Sequence, residues 1–138
     1  MEVISKGVLM AYLIVFLGAG VGGALRHGVN QLAAYLFGMA FPYGTLAVNV
    51  AGSILMGILA EYFAFRGGVA QETRLFLTTG ILGGFTTFST FSLDTISLWE
   101  RGQWAIAAAY VAVSLVCSLA GLFAGLAIIR FLAQGQTV

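Results

Sequence analysis

The sequence predicts an all-α integral membrane protein of four transmembrane helices, the third of them broken, assembled as an antiparallel, dual-topology homodimer. Three observations carry that prediction. First, the chain is 60% hydrophobic and 8% charged, whereas a soluble domain carries about 25% charged residues. Second, four apolar segments, about Val8–Leu25, Tyr43–Phe65, Leu75–Leu98 and Trp104–Leu132, each reach the roughly 20 residues that cross a bilayer core. Third, the run Gly80 to Ser92 packs glycines, hydroxyls and three phenylalanines into the third segment. Lipid tolerates irregular or polar backbone only where protein or a wet cavity lies beside it.

Composition also excludes functions. A formal net charge of +1 in 138 residues gives no basic field for nucleic acid. The one cysteine, Cys117, and the one histidine, His27, leave no intrachain disulfide and no cysteine or histidine metal cluster. So few ionisable groups give an enzyme little to work with. The whole chain, 1–138, is expected to form one transmembrane domain.

Span one follows Lys6. The small residues Gly18-Ala19-Gly20 loosely resemble a signal-cleavage site, but Glu2 offsets Lys6 and the apolar stretch continues to Leu25. A retained helix is therefore expected. Arg26-His27 forms the first charged break. Arg26 reads equally as an interfacial anchor that snorkels or as a fixed cation in a wet mouth.

Span two starts after Pro42, where a missing N–H costs nothing. Asn49 lies roughly 9 Å along it from Tyr43. A primary amide at that depth needs a partner: an interhelical bond, worth about 1 kcal/mol in membranes, or a permeating anion. Thr45, one turn earlier, shares its face.

Span three follows the charged stretch Arg66 to Arg74. Gly83-Gly84 before Thr86-Thr87 invites a break, because glycine permits unusual angles and hydroxyls satisfy freed groups. Carbonyls exposed there suit a hard monovalent cation. Phe88 and Phe91 share a helical face among Thr86, Thr87, Ser89, Thr90 and Ser92. Most membrane phenylalanines only pack, yet a ring edge is positive and can face an anion. Asp94 is the deepest carboxylate and reads as a partner for arginine or backbone near the surface.

Trp99 and Trp104 flank the last charged break, Glu100-Arg101, in the manner of an interfacial belt. Span four then carries Tyr110, Ser114 and Ser118 in one stripe. The stripe either bonds to its own helix or faces a pore.

Four spans put both termini on one side with Lys6, Arg66, Arg74 and Arg130, against Arg26 and Arg101 on the other. So small a bias permits insertion in both orientations. The pairs Gly18/Gly22, Ser53/Gly57, Gly80/Gly84 and Gly121/Gly125 favour close helix association, within or between chains.

The combination Gly22-Gly23-Ala24-Leu25-Arg26, Gly44-Thr45-Leu46-Ala47-Val48-Asn49 and Thr79-Gly80 through Ser92 resembles the Fluc (CrcB) fluoride channels along essentially the whole chain. The resemblance implies a dual-topology homodimer in the bacterial plasma (inner) membrane, passing fluoride but not chloride through two antiparallel pores. It implies that Phe88 and Phe91 are pore phenylalanines beside the Asn49 amide. Thr45, Ser89, Thr90, Tyr110, Ser114 and Ser118 would line the path, with Arg26 in a vestibule. It implies a structural Na⁺ at the dimer centre, held by the Gly83 and Thr86 carbonyls of both subunits. Asp94 departs from the family, where glutamate is frequent at that place. No nucleotide motif or coupling group is visible, so flow is expected to be passive. Two rivals differ in class. A small multidrug-resistance-type exporter needs a carboxylate in the first span, where this chain has none. A non-transporting membrane assembly protein needs no polar track, so Phe88→Ile and Asn49→Leu would be silent.

Overall fold

The computed structural model describes residues 2–134. Met1 and residues 135–138, part of the expected single domain, lie outside the described residues. The chain is helical: α1 Glu2–Phe37, α2 Tyr43–Phe65, a rod made of α3 Gln71–Leu75, a π-helical stretch Phe76–Leu82 and α4 Gly83–Phe85, then α5 Phe88–Glu100 and α6 Trp104–Gln134. Among the described residues, three helices are long and apolar enough to cross a membrane by length and composition: Lys6–Phe37, Tyr43–Phe65 and Trp104–Gln134.

Span two matches its expected bounds, and span four runs two residues longer than expected. Span one is corrected. Arg26-His27 is not a break; α1 runs on to Phe37. Nothing there withdraws a backbone donor, and the helix stops where Gly38 takes φ +76° and donates to the Ala34 carbonyl at 2.9 Å, a glycine C-cap. In span three the break falls at Thr86-Thr87, one turn after Gly83-Gly84. Thr86 (ψ 158°) and Thr87 (φ −154°, ψ 122°) are extended, while Gly83 keeps helical angles. The glycines instead permit close packing.

That packing fixes the directions of the helices. A Cβ on Gly18 would sit 2.8 Å from Gly80 Cα, one on Gly22 would overlap the Ile81 carbonyl, and one on Gly84 would lie 2.8 Å from Ala19 Cα. Contacts thus advance together along α1 and the rod, so the two run parallel. Likewise a Cβ on Gly57 would lie 3.0 Å from Leu126 N, and one on Gly125 2.9 Å from Ile58 N. Farther along, Glu61 holds Arg130 bidentately at 2.9 and 3.0 Å, so α2 and α6 are parallel too. Asn30 at the end of α1 packs on Gly44 at the start of α2, so these two are antiparallel. The start of α1 and the end of α6 therefore share one end of the bundle. The glycines of the small-residue pairs meet neighbours of the same chain.

Arg74 ties the rod to the end of α2. Its Nη2 donates to the Phe63 carbonyl at 3.0 Å, and its guanidinium lies 5.4 Å from the Phe63 ring centre. At the opposite end, Leu98, Ala107 and Tyr110 form a buried cluster with Phe41, Leu46 and Phe91 against it. Large side chains such as Phe16, Phe123 and Phe131 are exposed, as lipid-facing surface requires.

Substituting Gly125 by Val should wedge α2 from α6 and cost about 1–3 kcal/mol. The expected readout is a lower thermal midpoint in detergent, with Gly20→Val, which meets nothing within 4 Å, as the unaffected control.

Candidate functional site

The site is built around the break between α4 and α5. Where a helix stops inside an apolar layer, its freed backbone groups must find protein partners. Thr87 finds them on α2. Asn49 Nδ2 donates to the Thr87 carbonyl at 3.0 Å, and the Thr87 N–H donates to Asn49 Oδ1 at 2.8 Å. The side-chain amide replaces the backbone neighbour that Thr87 lost. Thr87 also caps α5: its hydroxyl accepts from Thr90 N–H at 3.1 Å, donates to Thr90 Oγ1 at 3.1 Å and lies 3.2 Å from Ser89 Oγ. Thr86 Oγ1 donates back to the Leu82 carbonyl at 2.9 Å. The Thr86 carbonyl is met by Arg26 Nη1 at 3.4 Å.

Two cavities flank this knot. The first, ≈ 380 Å³, takes its walls from Asn49, Thr86, Thr87, Phe88, Phe91, Ser114 and Ser118 with apolar neighbours. The second, ≈ 300 Å³, lies between the end of α1, the start of α2 and α5, with Asn30, Thr45, Thr90, Asp94 and Arg101 on its walls. Tyr110 stands between them. It is 0% exposed, its ring is 5.3 Å from Phe91 and edge-on to Phe41 at 5.5 Å, and its hydroxyl donates to Asp94 Oδ2 at 3.4 Å. The Thr45 and Ser114 hydroxyls lie next to the phenol. Ser114 misses hydrogen-bonding geometry, so its Oγ is buried and unpartnered.

The structure thus gathers Asn49, Phe88, Phe91, Ser114 and Ser118 on one cavity, and Thr45 and Thr90 on the other, with Tyr110 packed against Phe91 of the first and bonded to Asp94 of the second. Phe88 and Phe91 touch, their centres 5.6 Å apart, but they differ: Phe91 is half-buried, whereas Phe88 is 77% exposed. Ser89 is tied to the Thr87 cap, and Arg26 lines neither cavity. Gly83 is exposed on the rod. Sequence reasoning named Thr87 at the expected break but not as the cap of α5, a role whose signal is a threonine directly before a new helix. Nor did it single out Arg101.

Chemically, the walls offer donors rather than nucleophiles. The Asn49 amide has two hydrogens, and one is taken by Thr87. Among the described residues no group of three or more His, Cys, Asp or Glu side chains could hold a metal ion.

The family described as "CrcB-like protein, Camphor Resistance (CrcB)" matches residues 13–126. The chain belongs to this family. Among its relatives, a protein of Methylobacterium nodulans named "Fluoride-specific ion channel FluC" is 62% identical over 118 residues, 86% of this chain and 94% of its own. One of Rhodopseudomonas palustris with the same name is 57% identical over 121 residues, 88% and 98% of the two chains. "Fluoride-specific ion channel FluC 2" of Nitrobacter hamburgensis is 55% identical over 123 residues, 89% and 99%. The resemblance found in the sequence is therefore borne out. These relatives are named as channels, not as enzymes, exporters or scaffolds.

Asn49→Leu keeps a similar branched shape but, unable to hydrogen-bond, orphans both backbone groups of Thr87. At about 1–3 kcal/mol per orphaned group, destabilisation of at least about 2 kcal/mol is expected. Hydrogen exchange at the Thr87 amide should accelerate, whereas Asn49→Gln with the same protection would contradict the fixed geometry of the pair.

Proposed function

We propose that this chain is a fluoride-selective passive ion channel of the bacterial plasma membrane, built from two antiparallel copies with two pores. Each copy crosses four times, the rod and α5 together forming the third crossing. The observation that carries the reading is the buried, unpartnered Ser114 Oγ on the cavity that Asn49 also lines. Relatives named for fluoride at 62% identity supply the anion.

Fluoride is small and strongly hydrated, so a pore has to replace its water with several donors at once. Asn49, Ser114 and Ser118 offer N–H and O–H groups on the first cavity, and Phe91 offers a ring edge. Beyond Tyr110, Thr45 and Thr90 take over. Neutral donors share the charge without a buried cation that would trap the ion, so it binds weakly enough to leave. No step consumes energy, and flow follows the electrochemical gradient.

A second copy is part of the reading because one chain leaves the groove open. Phe88 is 77% exposed, and Thr79 and Gly83, one turn apart on the rod, are exposed as well. Polar and backbone surface of this kind within the apolar layer favours protein over lipid as its cover.

Sodium at the shared centre belongs to the same proposal, with Gly83 and Thr86 as its carbonyl ligands. Gly83 fits: the Thr87 N–H that a continuing helix would give to its carbonyl goes to Asn49 instead. Thr86 fits less simply, because Arg26 approaches the same oxygen at 3.4 Å and like charges oppose each other there. Two carbonyls are too few for a hard cation, so the partner copy has to supply the rest. When bound, the cation would neutralise the carbonyl dipoles freed at the break.

Liposomes holding purified protein should release fluoride electrogenically and retain chloride. Phe91→Ile and Ser114→Ala should each slow fluoride at least about tenfold, equal to about 1.4 kcal/mol on the barrier. Chloride-equal release, or none, sinks the proposal. For the assembly, Thr79→Cys in a Cys117→Ala background should cross-link between copies with a bis-maleimide. Protease accessibility should find both orientations; a single uniform orientation removes the antiparallel dimer.

A further inference from the structure

We infer that Arg101 is the recruiting cation of this chain, drawing anions into the second cavity and offsetting Asp94 there. The inference rests on the channel reading and adds a residue with a distinct role to it.

Three observations lead to it. Arg101 is the one basic side chain among the described residues on the wall of either cavity. Arg26 instead lies against the Thr86 carbonyl at the helix break. Second, Arg101 is held in place. It is the C-cap of α5, followed by Gly102 at φ +74°. Gly102 N–H donates to Trp99 at 2.9 Å and Gln103 N–H to Leu98 at 3.0 Å, the two bonds of a Schellman turn. Its Nε donates to the Ser97 carbonyl at 3.0 Å, so the negative end of α5 anchors the guanidinium. Its terminal nitrogens are the remaining donors. Third, the same cavity holds Asp94, which accepts from the Tyr110 hydroxyl. A carboxylate at that place repels an approaching anion, and a fixed cation on the same wall cancels the repulsion.

Such a cation works by raising the local anion concentration at the mouth. Its effect belongs to entry, not to the maximal rate, and salt removes it because the screening length falls to about 3 Å at 1 M. Arg101 is exposed and lies on the second cavity, whereas Phe91 and Ser114 lie on the first.

The test is fluoride flux through reconstituted full-length protein at about 10 mM and about 1 M ionic strength. Arg101→Gln should lower flux at low fluoride about three- to tenfold in low salt, with saturating flux unchanged and the defect gone in high salt. Arg101→Lys should restore it. Asp94→Asn, which keeps an acceptor for Tyr110, should raise low-salt flux and restore it in the Arg101→Gln background. Low-salt flux unchanged by Arg101→Gln, a defect that persists at 1 M, or no rescue by Asp94→Asn would overturn the inference. A wild type silent to fluoride sinks the channel reading itself; a conducting wild type with an indifferent Arg101→Gln removes only this role.

Discussion

A helix interrupted inside an apolar layer has to satisfy its loose backbone groups, and this chain answers with one side chain. Asn49 takes both the N–H and the carbonyl of Thr87, so the break sits at a fixed height against α2. The Thr87 hydroxyl then starts α5, which sets where Phe88 and Phe91 emerge. The pair explains why a polar side chain sits roughly 9 Å into an apolar helix, where it would otherwise be costly.

The second consequence is a division of surfaces. Gly18, Gly22, Gly80 and Gly84 join α1 to the rod; Gly57, Gly121 and Gly125 join α2 to α6. The two parallel pairs lie antiparallel to each other, and the polar track forms where α5 packs on α6 beside α2. With these glycines engaged inside the chain, a partner copy has to use other surface. Thr79, Gly83 and Phe88 are exposed and offer that surface to the partner copy proposed above. Hydroxyls on α6 form one inward stripe, Tyr110 and Ser114 buried and Ser118 half-buried, in line with the buried Gly121 and Gly125, while most other positions of that helix are exposed and apolar.

Much of this was legible in the sequence because membrane segments announce themselves by composition alone. Spans two and four were legible to within two residues. A break in span three followed from glycines next to threonines, but its position depended on which groups find partners across the bundle, and Asn49 lies far away in sequence. Arg26-His27 misled because charge pairs usually mark loops, whereas a helix without proline keeps its hydrogen bonds through them. Asn49 was legible as a group needing a partner; the choice of Thr87 was not. The stripe on α6 could be read from spacing, yet the unpartnered state of Ser114 Oγ is a property of packing that no single helix reveals.

The central claim is that donors around a pinned break pass fluoride and reject chloride. A planar bilayer holding the purified protein, with fluoride on one side and chloride on the other, tests it most directly. The current should reverse close to the potential set by fluoride alone. Reversal near zero, with the two halides carrying comparable current, would contradict the account.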